Sequence, residues 1–285
     1  EDGKWDIVDG VQRISTLLQL VGDLPGHDPL VLDGTDYLPS LEGMTWETMP
    51  NDAKRILKRA RIGVNIILTE NSIESQYELF QRLNTGGVSL ESQEIRNCLI
   101  IMLNASYYEK INELKNYEAF RKCLTVTDEK LKVEYHMELI VRYLIAKRNK
   151  VDYSTYNPAT EKLSHFLDHE MALLIGDADF DIDAEIDLFK KTFDFLANVI
   201  GDNAFKKYNA EKEKFEGPFS NTSFEAVLVG IAENLDALQD KDVLSMIKAV
   251  YTQDKFKEYA ERGTRVINRF RGLNEFSREY FSNAN

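Results

Sequence analysis

The feature that most constrains this chain is a change of hydrophobic rhythm near residue 70. Before it, "KWDIV" (4–8), the short "LVLDG" (30–34) and "RIGVNIIL" (61–68), the last rich in β-branched residues, read as strands. Between them stand a helix after Gly10, with Ile14, Leu17, Leu18, Leu20 and Val21 at helical spacing, and another around Asp52 to Ala60. A loop with Pro25, Gly26 and Pro29 and an irregular segment ending near Pro50 fill the rest. From Ser72 onward the period becomes helical. "SIESQYELFQRL" puts Ile73, Tyr77, Phe80 and Leu83 on one face, "NTGG" ends that helix, and "SLESQEIRNCLIIML" restarts with Ser89 as N-cap. Further helices are expected over 106–123, 128–148, 158–175, 183–200, 222–238, 240–251 and 255–281, with no strand run of similar quality after Leu68. The pattern predicts an α+β chain: a small mixed α/β domain over residues 1–104, then a larger all-α helical domain over 105–285.

Composition narrows the function classes. With 43% hydrophobic and 29% charged residues, the 285-residue chain has the makeup of a globular protein with a substantial core. Its formal net charge of −13 argues against a nonspecific duplex-binding surface over the whole molecule, leaving only local basic patches. Apolar runs such as "CLIIML" fall well short of the roughly 20 residues that span a bilayer, so no membrane partner is expected. The opening "EDGKWD" lacks the basic and apolar regions of a signal peptide. Cys98 and Cys123 sit in apolar helical pattern without CxxC spacing, which reads as reduced core thiols and a cytoplasmic setting.

The stretch "VDGVQRIST", Val8 to Thr16, carries the most chemistry. A strand, a glycine turn and a helix bring unpaired backbone N–H groups and the positive end of a helix dipole to one point, which favours an anion. Arg13, one turn in, adds a fork for phosphate oxygens; Gly10 permits close backbone approach, and Thr16 or Ser15 offers a hydroxyl. Asp9 suits a different role: holding Arg13, capping the helix, or binding Mg²⁺ or a water beside a phosphate. Two readings stand on these residues alone, a phosphate site and an ordinary capped helix with a surface arginine. No G-x-x-x-x-G-K-[ST] loop occurs in the chain.

"VDGVQRIST" resembles the "DGQQR" signature of the family named for the N-terminal domain of GmrSD-type restriction endonucleases, related to the ParB and sulfiredoxin fold. "ELFQRLNTGGVSLESQEIRN" (78–97) resembles the family's second hallmark, and both occur in the family's order with "RIGVNIIL" between them. The resemblance covers residues 5–104. It implies a nucleoside triphosphate site on the turn, formed by Asp9, Gly10, Gln12 and Arg13. The Thr16 hydroxyl stands beside that turn in sequence, and the "NTGG" loop with Asn84 suits either a helix C-cap alone or closure over the nucleotide. Arg13 falls to the phosphates and Asp9 to Mg²⁺, water or Arg13, with hydrolysis regulating prokaryotic antiphage defence. Val11 stands where the family often has Gln, which touches hydrolysis more than binding. Family members usually carry a further segment before this strand, so another stretch of polypeptide is expected to complete the domain.

Other constellations point elsewhere. His165 and His169 in "HFLDHE" have metal-ligand spacing beside Asp168 and Glu170 but no third ligand in view. They read as an exposed polar face, with neither zinc nor haem expected. "DADFDID" (177–183) mimics a calcium loop but has Ile182 and Leu188 where Gly and the closing Glu belong, so it reads as an acidic linker into a helix. His27, His136, His165 and His169 form no HNH cluster, so any nuclease of such a system is expected on another chain. Arg262, Arg265 and Arg269, taken as one helical face with Phe270, Phe276 and Tyr280 interleaved, suit either DNA or phosphate contact or ion pairing with neighbouring carboxylates. The leading functional expectation is an Mg²⁺-dependent NTP hydrolase. The alternatives are a non-hydrolysing nucleotide- or DNA-binding subunit that docks a partner, and a purely structural subunit.

Overall fold

The computed structural model describes Ile7, residues 10–64, Ile66 and residues 91–283. The chain falls into two compact units, Glu1–Ser89 and Leu90–Asn285.

In the first unit, helix α1 (Val11–Val21) runs between two left-handed glycines, Gly10 at φ 90° and Gly22 at φ 83°. The N–H of Gly22 donates to Gln19 O (3.1 Å) and that of Asp23 to Leu18 O (2.8 Å), the paired closure that satisfies a helix's last carbonyls. In the following loop, the Glu42 carboxylate accepts from the Thr35 hydroxyl (2.6 Å), the Thr35 N–H (2.9 Å) and the Gly34 N–H (3.2 Å). These donors, led by the hydroxyl, hold its pKa down at about 2. Helix α2 (Asn51–Arg59) follows. Leu20 and Met49 are the buried hydrophobic side chains of the described part of this unit.

The strands expected here are not found among the described residues. Leu32 exchanges one pair of backbone hydrogen bonds with Gly43 and Met44, both 2.8 Å. With Pro29 before the run and Gly34 at φ 66° ending it, the pairing goes no further and 30–34 stays irregular. The described part of "RIGVNIIL", 61–64 and Ile66, is likewise not a strand, and Ile62, Val64 and Ile66 are exposed. A β-branched run gains its preference from packing against a neighbouring strand, and none stands beside it among the described residues. "KWDIV" apart from Ile7, "SIESQYELFQRL", "NTGG" and Ser89 lie outside the described residues.

The second unit is helical. Helix α3 (Ser92–Leu103) is capped by Glu91, whose N–H donates to the Glu94 carboxylate (2.9 Å) in a reciprocal capping box. The N-cap is therefore Glu91 rather than Ser89. Then come α4 (Ala105–Leu114), α5 (Glu118–Cys123), α6 (Asp128–Lys132), α7 (Tyr135–Arg148), α8 (Leu163–Ile175) and α9 (Ile182–Val199). A hairpin of β1 (Lys207–Asn209) and β2 (Lys214–Glu216) pairs Tyr208 with Phe215. It is followed by α10 (Asn221–Glu233), α11 (Leu235–Leu238), α12 (Val243–Val250), α13 (Asp254–Ala260) and α14 (Val266–Ser282).

Helix α7 is the axis of this unit, buried without a break from His136 to Ala146 except at Glu138. A helix covered on every side needs no amphipathic stripe, and the sequence of α7 has none to speak of. Edge-on aromatic contacts link Phe120, Phe189, Phe193, Phe205 and Phe224 into one cluster beside it. Helix α14 packs on α10 at a glycine: a Cβ on Gly230 would overlap the Ser277 backbone, and the Gly230 N–H donates to the Ser277 hydroxyl (2.9 Å). Expected helices break where the backbone turns left-handed, at Glu134 (φ 57°) within 128–148 and at Gly263 (φ 104°) within 255–281. The hairpin was not legible because only Tyr208 and Phe215 of its six paired residues are apolar.

Candidate functional site

The start of α1 concentrates donors. Gly10 occupies the N-cap position and, lacking a side chain, offers no acceptor to the first-turn amides. Its carbonyl accepts from the Ile14 N–H (2.9 Å), so the helix proper begins at Val11. The guanidinium of Arg13 folds back across this end. A Cβ placed on Gly10 would lie 3.3 Å from Arg13 Nη2 and 3.6 Å from both Cζ and Nε. Glycine is thus required twice over, for the left-handed φ and for room beneath the guanidinium. First-turn amides, the helix dipole and a guanidinium converge at Gly10, which itself carries no side chain. This donor set fits a tetrahedral anion.

The other expected site residues are placed less uniformly. Gln12 is exposed on the first turn. Thr16 donates its hydroxyl hydrogen to Gln12 O (2.7 Å), so its proton is committed to the helix backbone. Asp9 and Asn84 lie outside the described residues. For a metal ion the described donors of the turn are wrong in kind, being N–H groups and a cation. Among the described residues no cluster of three His, Cys, Asp or Glu side chains stands together.

The second motif folds into a different environment. Arg96 of "EIRN" is fully buried, its Nε 2.7 Å from the Asp168 carboxylate of α8, with Gln93 Oε1 and Ser164 O as further acceptors. Asp168 and Glu170 therefore face inward, contrary to the exposed polar face expected of "HFLDHE". Glu170 accepts from the Tyr156 hydroxyl (2.5 Å) and from Arg148 (3.2 Å). His165 and His169 remain exposed, His169 Nδ1 lying 2.6 Å from the Tyr156 oxygen. The pairing of Arg96 with Asp168 was missed from sequence. Its signal was a charged residue inside an apolar run, "NCLIIML" after Arg96 and "HFL" before Asp168.

The carboxy-terminal arginines do not share one helical face, because Gly263 ends the preceding segment. Arg262 lies in the turn after α13, Arg265 is the N-cap of α14, and Arg269 lies within it. Arg269 pairs with the buried Glu225 (3.0 Å), which also holds Arg142 (2.8 Å). Arg278 pairs with Glu233 (3.0 Å) and donates to Ala146 O. Arg265 donates to Ala159 O (3.3 Å). Phe270 and Phe276 are core residues. Asp181 of "DADFDID" caps α9, accepting from the N–H groups of Asp183 and Ala184 at 3.0 Å each.

Comparison with known proteins sets the chain in the context of restriction-type defence. Residues 1–101 match the family described as "GmrSD restriction endonuclease, N-terminal domain". The match takes in α1 and nearly all of α3, hence both motifs. No curated protein and no solved structure matches the chain.

Proposed function

We propose that the turn at Gly10 binds the phosphates of a nucleoside triphosphate and that the chain hydrolyses it with Mg²⁺ to regulate restriction-type defence. The observation that carries this is the Arg13 guanidinium lying over the glycine N-cap of α1. Backbone amides and Arg13 hold and orient the phosphates, and their fixed positive potential stabilises charge that develops as the terminal phosphoryl group departs. Asp9, next to Gly10 in sequence, is the carboxylate for the metal or for the attacking water. When bound, Mg²⁺ neutralises charge on the β- and γ-phosphate oxygens. A nucleotide switch without turnover is the second reading, favoured by Val11, which is exposed and apolar where the family often has an amide.

Calorimetric titration of the four NTPs with and without Mg²⁺, followed by phosphate release, tests both. Saturable binding that Arg13→Ala removes, together with phosphate release, is expected. Binding without release selects the switch. Binding or turnover that survives Arg13→Ala, in a variant with wild-type circular dichroism, overturns the site.

A further inference from the structure

Five of the eight Lys and Arg residues in positions 1–89 fall in the eight-residue run "KRILKRAR", 54–61. Helix α2 puts Lys54, Arg55, Lys58 and Arg59 within a sector of roughly 140°, at about 100° per residue. Arg61 follows directly. These cations are solvated differently from those of the helical unit. Arg55 is tied to Asp52 (2.6 Å) at an exposed position, and Lys54 donates to Glu47 O (2.9 Å). Lys58, Arg59 and Arg61 are exposed and, among the described residues, pair with no carboxylate. Lys54 and Lys58 stand 6.0 and 5.8 Å from the centre of the Trp46 ring, which fixes that indole beside the cationic sector.

We propose that this face of α2, with Arg61 and Trp46, is a docking surface for the sugar-phosphate backbone of a nucleic acid. The net charge of −13 does not oppose it, since charges more than about 8 Å away are screened at physiological ionic strength and the local run governs contact. Three of the five cations are arginines, whose planar forks match phosphate oxygens in pairs. An aromatic ring beside a cationic ridge is the pairing that holds unstacked bases. A lipid surface fits less well. Ile56 and Leu57 are the only large apolar side chains of the nine-residue helix, too little area for stable insertion in an interface. Because α2 lies outside the Gly10 turn, the proposal does not depend on nucleotide hydrolysis.

The test is fluorescence anisotropy of the full chain with 20-nucleotide single-stranded and duplex DNA between 50 and 200 mM NaCl. Four phosphate contacts predict a log–log salt slope near −3.6 on duplex, roughly 0.9 per contact, and so about a hundredfold loss across that range. Lys58→Glu with Arg59→Glu should weaken binding at least tenfold and flatten the slope by about 2. Arg55→Gln with Arg59→Gln should flatten it similarly if the reversed pair perturbs folding. Lys255→Glu, on the exposed side of α13, should change nothing. Three results overturn the proposal: no DNA binding at 50 mM NaCl, neither pair altering affinity or slope, or capture by phosphatidylserine vesicles with no binding to DNA.

Discussion

The two motif regions of the family match treat arginine in opposite ways. At α1, Arg13 lies at the surface over the glycine N-cap of the helix. At α3, Arg96 is wholly enclosed, with a carboxylate, an amide oxygen and a backbone carbonyl around its guanidinium. A guanidinium exposed at a helix start remains within reach of a ligand from solvent. An enclosed one does not. Residues that recur together in a motif can thus divide between binding and holding, and burial tells which is which.

The largest effect that would sharpen this contrast is at α3. Arg96→Ala removes the guanidinium from beside the buried Asp168 carboxylate and should lower unfolding free energy by about 3–5 kcal/mol in urea titration, whereas the apolar pair Arg96→Met with Asp168→Leu should restore most of it. At α1 the order reverses. Arg13→Ala should leave the urea midpoint in place and lower phosphate affinity by about tenfold or more, the worth of a charge-assisted contact. Gly10→Ala should reduce both modestly, by roughly 1 kcal/mol in stability through the left-handed backbone, and should displace the guanidinium. If Arg13→Ala unfolds the chain as Arg96→Ala does, the contrast fails.

Acid titration separates the units further. His136 is buried, and burial lowers its pKa, with Lys115 and Arg121 adding to this and Glu134 opposing it. The folded state therefore favours the neutral ring. As pH falls below about 6.5 the unfolded chain takes up a proton that the folded one resists, and stability is lost from there down to the folded pKa. The urea midpoint should drop between pH 7.5 and 5.5, less so in His136→Gln. The smallest change is expected at Arg265, exposed and bound only to Ala159 O: Arg265→Gln should shift stability by no more than about 0.5 kcal/mol.

Much of the helical unit was legible because burial on one or more faces writes itself into apolar spacing. The helix Ile182–Val199 and the ends at Ile175 and Asn221 lie within a residue of that pattern, whereas the start at Leu163 and the end at Glu233 each fall five residues inside it. The N-terminal strands were not legible in the same way, since "LVLDG" and the described part of "RIGVNIIL" have strand composition but, among the described residues, no ladder beside them. Of the candidate site, Gly10 and Arg13 were readable from their types and spacing. The fold-back of Arg13 over Gly10 was not, because it depends on a rotamer and a positive φ. Nor was the pairing of Arg269 with Glu225, which joins helices 44 residues apart in the chain.

The close seat of α14 on α10 has a consequence for synthesis. Ser277 meets Gly230, Arg278 reaches both Glu233 and Ala146, and Phe270 closes on Phe166. Every one of those partners is translated well before α14. A nascent chain halted ahead of residue 266 would carry the cleft of Gly230 and the ring of Phe166 open to solvent or to a chaperone. The helical unit can close only after the ribosome has delivered the helix that fits it.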